Sequence, residues 1–281
     1  SNGGFVLDVN ETPDPEEFED AYMRYANARV CPPRPAEKTY RVRGTKEPFY
    51  TLNVIDGIMS VSAVQKVAKQ YQASITEYLN AVLLYSLLQK QEHDFHLRLR
   101  PVRIAMPVNL RRFFPSKTLR NFITMVYPSI DPRLGDYTFE EIVTQVHHYM
   151  RYYINSKFLR GDITTNASTQ RNPLIRIVPL FLKDFVVRQF YQRVQDKNSS
   201  AGLTNMGAIR VPDDMKPYLE RFDIYMGIPY SQRTNCAIVS FEDTLTVNFA
   251  SCIIEADVER RFFQKLVEDG IPVTIESNRE L

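Results

Sequence analysis

Along the chain, apolar and polar positions alternate between two periods. The stretch "ITEYLNAVLLYSLLQ" places Leu79, Val82, Leu83 and Ser86 on one helical face. Ahead of it, Ser74 and Glu77 have the spacing of a capping box, and Ser62 with Gln65 repeats that spacing. Helices are therefore expected over about 62–72 and 75–91. A third box, Thr138 with Glu141, opens a long helix whose stripe is Phe139, Ile142, Val143, Val146, Met150 and Ile154. A shorter acidic helix is expected over 15–28 and an apolar one over 174–194. A closing helix over 255–269 has Val258, Phe262 and Leu266 on one face.

Period-two and short apolar runs predict strands at "KTYRVRG" (38–44, an edge strand), "FYTLNVIDGIMSV" (49–61), "VRIAMPVN" (102–109) and "NFITMVYPSI" (121–130). Further strands are expected at 201–211, 222–229, 235–241, 244–250 and 272–277. A hairpin turning at Glu242 and Asp243 sets Cys236 opposite Phe249 and Cys252 opposite Arg233. Long helices against a mixed, mostly antiparallel sheet define an α+β class. Residues 1–37, with the unhelical "CPPRPAEK", read as a connector arm, and 38–281 as one lobe.

Composition narrows the picture only a little. Of the 281 residues, 44% are hydrophobic and 24% charged, which fits a globular chain rather than a disordered one. The formal net charge of +2 calls for a local patch, not the whole molecule, if a polyanion is to be met. Such a patch exists in sequence: residues 97–130 contain no Asp or Glu but carry Arg98, Arg100, Arg103, Arg111, Arg112, Lys117 and Arg120. The apolar stretch 173–194 is interrupted by Arg176, Pro179, Lys183, Asp184 and Arg188, so no membrane span is expected there. The opening residues lack a basic flank and an apolar core segment, unlike a signal peptide. Unopposed Cys236 and Cys252 suit a reducing, cytoplasmic compartment.

Few motifs carry chemistry. His147 and His148 are adjacent on a helix and project about 100° apart, so packed or solvated histidines are the default reading. "EHDFH" at 92–96 offers metal-ligand types in what reads as a solvated loop. No Gly-rich phosphate loop, nucleophile elbow or HExxH is present. Neither a catalytic nor a metal-ligating residue is assigned.

The run "RIAMPVNLRRFFPSKTLRNFITMVYPSID", preceded by "VSAVQKVAKQYQASITEYLNAVLLYSLL" and followed by "SSAGLTNMGAIRVP", resembles the second half of condensation-domain and CoA-dependent acyltransferase proteins, nearest their alcohol acetyltransferase and wax-ester-synthase-like branch. The resemblance covers roughly residues 52–278. It implies a chloramphenicol acetyltransferase-like C-terminal lobe, facing a second lobe across a tunnel. The superfamily's general base lies in HHxxxDG, which belongs to the N-terminal lobe; here His147 and His148 are followed by "YMRYY". The resemblance thus implies a lobe without a complete site of its own, inactive in isolation.

By the same analogy Asn109, Arg111 and Arg112 reach the tunnel rim, where guanidinium groups pair with the phosphates of coenzyme A or a phosphopantetheine carrier. Ser199, Ser200, Thr204 and Asn205 line the other side. The structural alternative ties Arg111 to backbone carbonyls. Implied partners are the N-terminal lobe, or a second copy of the chain, and an acyl carrier. Two other classes stand beside acyl transfer: a non-catalytic scaffold for a carrier or protein partner, and nucleic-acid binding with Phe113, Phe114 and Phe122 as stacking groups, which apolar burial explains more simply.

Overall fold

Two capping boxes anchor the helical layer. Ser74 Oγ accepts from Glu77 N while Glu77 Oε2 accepts from Ser74 N, and Thr138 with Glu141 repeats the exchange. They open α3 (Ile75–His93) and α4 (Phe139–Tyr153). The expected box at Ser62 does not form. Ser60 caps α2 (Val61–Gln70) instead, because the hairpin turn supplies Asp243 to Ser62 N at 2.9 Å and to the Ser60 hydroxyl at 2.7 Å. The computed structural model describes residues 12–27, 37–48, 51–94, 98–171, 198–229 and 232–279, and the helix expected over 174–194 lies outside them.

The strands are β1 (Asn53–Ser60), β2 (Val102–Asn109), β3 (Ile123–Val126), β4 (Ser129–Ile130), β5 (Ala201–Ala208), β6 (Thr234–Phe241), β7 (Thr244–Ser251) and β8 (Thr274–Ser277). They form one sheet in the order β3-β2-β5-β6-β7-β1-β8, with β4 also paired to β2. Among the described residues, only β2 with β5 and β5 with β6 run parallel. The hairpin register is the expected one: Cys236 faces Phe249, and Cys252 N donates to Arg233 O at 3.0 Å.

One sheet face carries Ile104, Met106, Leu203, Cys236, Ile238, Val247, Phe249 and Met59, all buried in the core with α3 and α6 (Asp257–Glu268). Strands buried on both sides need unbroken apolar runs, which "CAIV" and "MPV" provide. Helix α5 (Ser156–Arg171) was not expected from the pattern. It buries Leu159, Ile163 and Ala167 at four-residue spacing and is started by Asn155 Oδ1, which accepts from Phe158 N at 3.0 Å.

Three expected elements are corrected. Residues 38–44 are not a strand: Tyr40 N bonds Pro101 O, Ile254 N bonds Thr45 O, and Lys46 makes an isolated bridge to Ile253, so the segment crosses between elements instead of joining a ladder. Residues 222–229 are not a strand either. They lie on the polar face of the sheet, where Asn248 Oδ1 accepts from Ile224 N, Thr246 Oγ1 donates to Phe222 O and Asn235 Nδ2 donates to Gly227 O. The acidic helix expected over 15–28 breaks into a 3₁₀ turn (Pro15–Phe18) and α1 (Ala21–Tyr25), because Asp20 caps the second piece through Tyr22 N.

Candidate functional site

The end of β2 builds the first part of the site. Asn109 Oδ1 accepts from Arg111 N at 3.0 Å and starts a 3₁₀ turn over Leu110–Arg112, with Leu110 fully buried. Arg111 Nη2 then donates to Thr118 O and Arg120 O, each at 2.7 Å. These bonds close the loop on itself, so the arginine that the family resemblance places at a tunnel rim holds backbone carbonyls. Arg112 is exposed and makes no ion pair among the described residues.

The acidic arm seals the outside of this loop. Lys117 Nζ reaches Asp14 at 2.9 Å and Glu16 at 3.2 Å, the Ser116 hydroxyl donates to Glu19 at 2.7 Å, and Leu119 N donates to Glu17 O at 2.8 Å. Tyr22 stands edge-on to Phe122 and Tyr25 packs on Phe114, with ring centroids 5.2 and 5.1 Å apart. Phe114 and Phe122 are buried, which removes both as stacking groups for a nucleic acid.

The expected second side of the site divides between two ends of the sheet. Ser200 N donates to Arg103 O at 2.7 Å, and Ser199 Oγ accepts from Gln232 at 2.8 Å; both serines are buried at the start of β5. Since β5 runs parallel to β2 with Ala201 opposite Ile104, they lie level with the start of β2, about 20 Å from Asn109 at ~3.3 Å per residue. Thr204 and Asn205 lie on the Asn109 side of that pairing. Asn205 Nδ2 donates to Thr76 Oγ1 at 2.8 Å, and Asn205 Oδ1 accepts from Gly207 N across a bulge at which Gly207 has φ 77°. Small-residue content pointed to this strand but not to its irregularity.

From Thr76 a polar row continues into α4. Glu77 Oε1 lies 3.3 Å from His147 Nδ1, close but not aligned for a hydrogen bond, and Arg151 Nε donates to His147 Nε2 at 2.8 Å. A cavity of about 440 Å³ opens beside it, lined by Tyr71, Gln72, Glu140, His147 and His148. With Nε2 accepting from a guanidinium, the lone pair of the neutral imidazole is engaged. Sequence spacing did not join Glu77 to His147. Their nearness follows from the packing of α3 on α4.

On the opposite sheet face, Asp56 accepts from Asn248 at 2.7 Å and from the Tyr225 hydroxyl at 2.9 Å, and burial pushes its carboxyl above the usual range. Cys236 is fully buried and its thiol is likewise pushed up, so it is a core residue and no nucleophile. Among the described residues no group of three or more His, Cys, Asp or Glu is placed to hold a metal. No helix among them is long and apolar enough to cross a membrane.

No protein-family model and no curated protein matches the sequence. Solved structures do. The trichothecene 15-O-acetyltransferase TRI3 from Fusarium sporotrichioides aligns with 94% of this chain and 53% of its own length, at 16% identity and a TM-score of 0.54. The nonribosomal peptide synthetase FmoA3, bound to AMPPNP, aligns with 92% of this chain and 25% of its own, at 13% identity and a TM-score of 0.51. The chain thus spans about half the length of the first and a quarter of the second. At such identities the likeness is one of fold. The eight-stranded mixed sheet with its helical layer is a chloramphenicol acetyltransferase-like lobe, the fold of the condensation and acyltransferase superfamily.

Proposed function

We propose that this chain is the C-terminal lobe of an acyltransferase that takes its acyl group from coenzyme A or from a phosphopantetheine thioester on a carrier. The observation that carries the reading is the alignment of nearly the whole chain, 94%, with only 53% of an acetyltransferase of known structure. A positioned base typically contributes about 10²- to 10⁴-fold. Here it comes from HHxxxDG on an N-terminal lobe, and the chain alone transfers nothing to an alcohol or amine. Asn109, Arg112, Thr204 and Asn205, at one end of β2 and β5, form this lobe's share of the thioester channel, and the protein works in the cytoplasm.

The test is an acetyl-CoA transfer assay with the chain alone, then with a separately expressed N-terminal lobe. Transfer only in the second supports the reading; turnover by the chain alone that survives changing His147 and His148 to Ala overturns it. A non-catalytic scaffold for an acyl carrier is the second reading, favoured by Arg111, whose guanidinium is engaged within its own loop. It is what remains if a carrier binds and no transfer occurs with either lobe arrangement.

A further inference from the structure

A cavity of about 420 Å³ opens at the end of the sheet away from Asn109, and five arginines, Arg41, Arg43, Arg98, Arg100 and Arg233, line it with Tyr40. They arrive on three separate stretches of chain, each with its backbone fixed. Tyr40 is buried and its N–H donates to Pro101 O at 2.9 Å. Gln91, near the end of α3, exchanges two hydrogen bonds with the backbone of Arg100, at 2.9 and 3.0 Å. Arg233 O accepts from Cys252 N at 3.0 Å. Backbone hydrogen bonds thus hold the chain at Tyr40, Arg100 and Arg233.

Among the described residues no carboxylate lines this cavity, and Arg43, Arg98, Arg100 and Arg233 make no ion pair. The acids nearest in the fold are already engaged. Asp94 holds Lys90 at 2.8 Å and the Tyr40 hydroxyl at 2.7 Å, while Glu255 accepts from Thr45 N and Oγ1 at 2.7 and 2.8 Å. Other bases of the molecule are matched to acids: Arg133 pairs with Glu37 and Asp131, Arg221 with Asp223 and Glu276, and Lys216 with Asp213 and Glu242. Arg43, Arg98, Arg100 and Arg233, like charges held around one cavity without an ion pair among the described residues, raise the free energy of the empty state, and an anion entering it relieves that repulsion.

We infer that this cavity binds a small anion carrying two or more phosphate groups, a free diphosphate or the phosphates of a nucleotide-like coenzyme. Planar guanidinium forks match phosphate oxygens two at a time, which a single carboxylate does not exploit as fully. An extended polynucleotide needs a basic stripe. Here the other exposed bases of the acid-free run, Arg112, Lys117 and Arg120, lie beyond the far end of β2, about 23 Å away along a strand of ~3.3 Å per residue. The site is independent of the acyl-transfer reading and stands or falls on anion binding alone.

Calorimetric titration of the full chain at fixed ionic strength tests it, with pyrophosphate, inorganic phosphate and coenzyme A as separate probes. Saturable one-to-one binding of pyrophosphate, stronger than that of phosphate, is expected, with a loss of at least about tenfold in Arg98→Ala/Arg233→Ala and an intermediate loss in Arg98→Lys. Lys216→Ala, distant and ion-paired, keeps the wild-type affinity. Coenzyme A binding tighter than pyrophosphate and weakened by the same arginine variants assigns the site to a coenzyme's phosphates, and equal binding or coenzyme A binding that those variants leave unchanged assigns it to a free diphosphate. Should the double variant fail to fold, Arg43→Ala and Arg98→Lys carry the comparison. Absence of saturable pyrophosphate binding, an affinity that the arginine variants share with wild type, or salt-steep polynucleotide binding without pyrophosphate binding overturns the inference.

Discussion

Lys117 Nζ lies 2.9 Å from Asp14 Oδ2, so an acid-free run of sequence finds its counter-charge 103 residues upstream. The pair fixes orientation more than it holds the arm, because its two side chains remain 64% and 40% exposed. Tyr22 and Tyr25 supply the apolar contact, on Phe122 and Phe114.

Tyr22→Ala is therefore expected to lower stability by about 2 kcal/mol and to expose the arm to limited proteolysis. Lys117→Ala leaves the urea midpoint nearly unchanged. The reverse order of the two effects would mean that charge, not aromatic packing, holds the arm.

Arg111 and Arg112 are adjacent but should behave differently. Losing two charge-assisted bonds to Thr118 and Arg120 carbonyls, Arg111→Ala is expected to lose about 1.5 to 3 kcal/mol. Arg112→Ala, on an exposed position, stays within about 0.5 kcal/mol of wild type. Denaturant curves on both variants decide it, and equal stabilities would release Arg111 for the ligand role that the family resemblance assigns to it.

The elements that sequence made legible are those whose local chemistry agrees with their packing. The Ser74 and Thr138 boxes set the starts of α3 and α4, and the Glu242 and Asp243 turn fixed the register of β6 on β7. Residues 38–44 and 222–229 misled for a shared physical reason. Each alternates like a strand, yet its backbone bonds go to single groups of several elements, in the second case to side chains of Asn248, Thr246 and Asn235, which no periodicity encodes. Helix α5 was hidden because Gly161, Thr164, Thr165 and Asn166 are weak helix formers overridden by burial of Leu159 and Ile163. The end of β2 at Asn109 was legible as the end of a strand, and the arginine cavity was not legible, since its bases come from three stretches distant in sequence.

Glu259 on α6 gives a pH prediction. It is 1% exposed, accepts from the Thr234 hydroxyl at 2.6 Å, and burial raises its carboxyl above the ordinary range. The unfolded chain releases this proton near the ordinary value of about 4.3, and the folded chain retains it to higher pH. Between those two values the folded state binds more protons, so this group's contribution to stability falls as pH rises. Glu259→Gln keeps an acceptor for Thr234 and removes the ionisation. Its melting temperature relative to wild type is expected to increase from pH 4 towards neutrality; a difference independent of pH would show that Glu259 ionises as freely folded as unfolded.

Gly57 on β1 sets two effects against each other. Replacing a strand glycine with alanine ordinarily gains about 0.5 to 1 kcal/mol through the unfolded chain. Here a Cβ would stand 2.1 Å from Phe263 Cε1 and 2.7 Å from its Cζ, far inside contact distance. The ring has little room to yield, for Phe263 is 7% exposed and packs edge-on against Phe249 and Phe262 at 5.6 and 5.4 Å. Overpacking of a formed core loses about 1 to 3 kcal/mol, so the clash wins and Gly57→Ala is expected to be destabilising by about 1 to 2 kcal/mol net. If the ring is the cause, Phe263→Leu should be milder in the Gly57→Ala background than in wild type, giving a favourable coupling in a double-mutant cycle. An alanine variant as stable as wild type, or additive effects in the cycle, would place the close approach of α6 to β1 elsewhere than at this glycine.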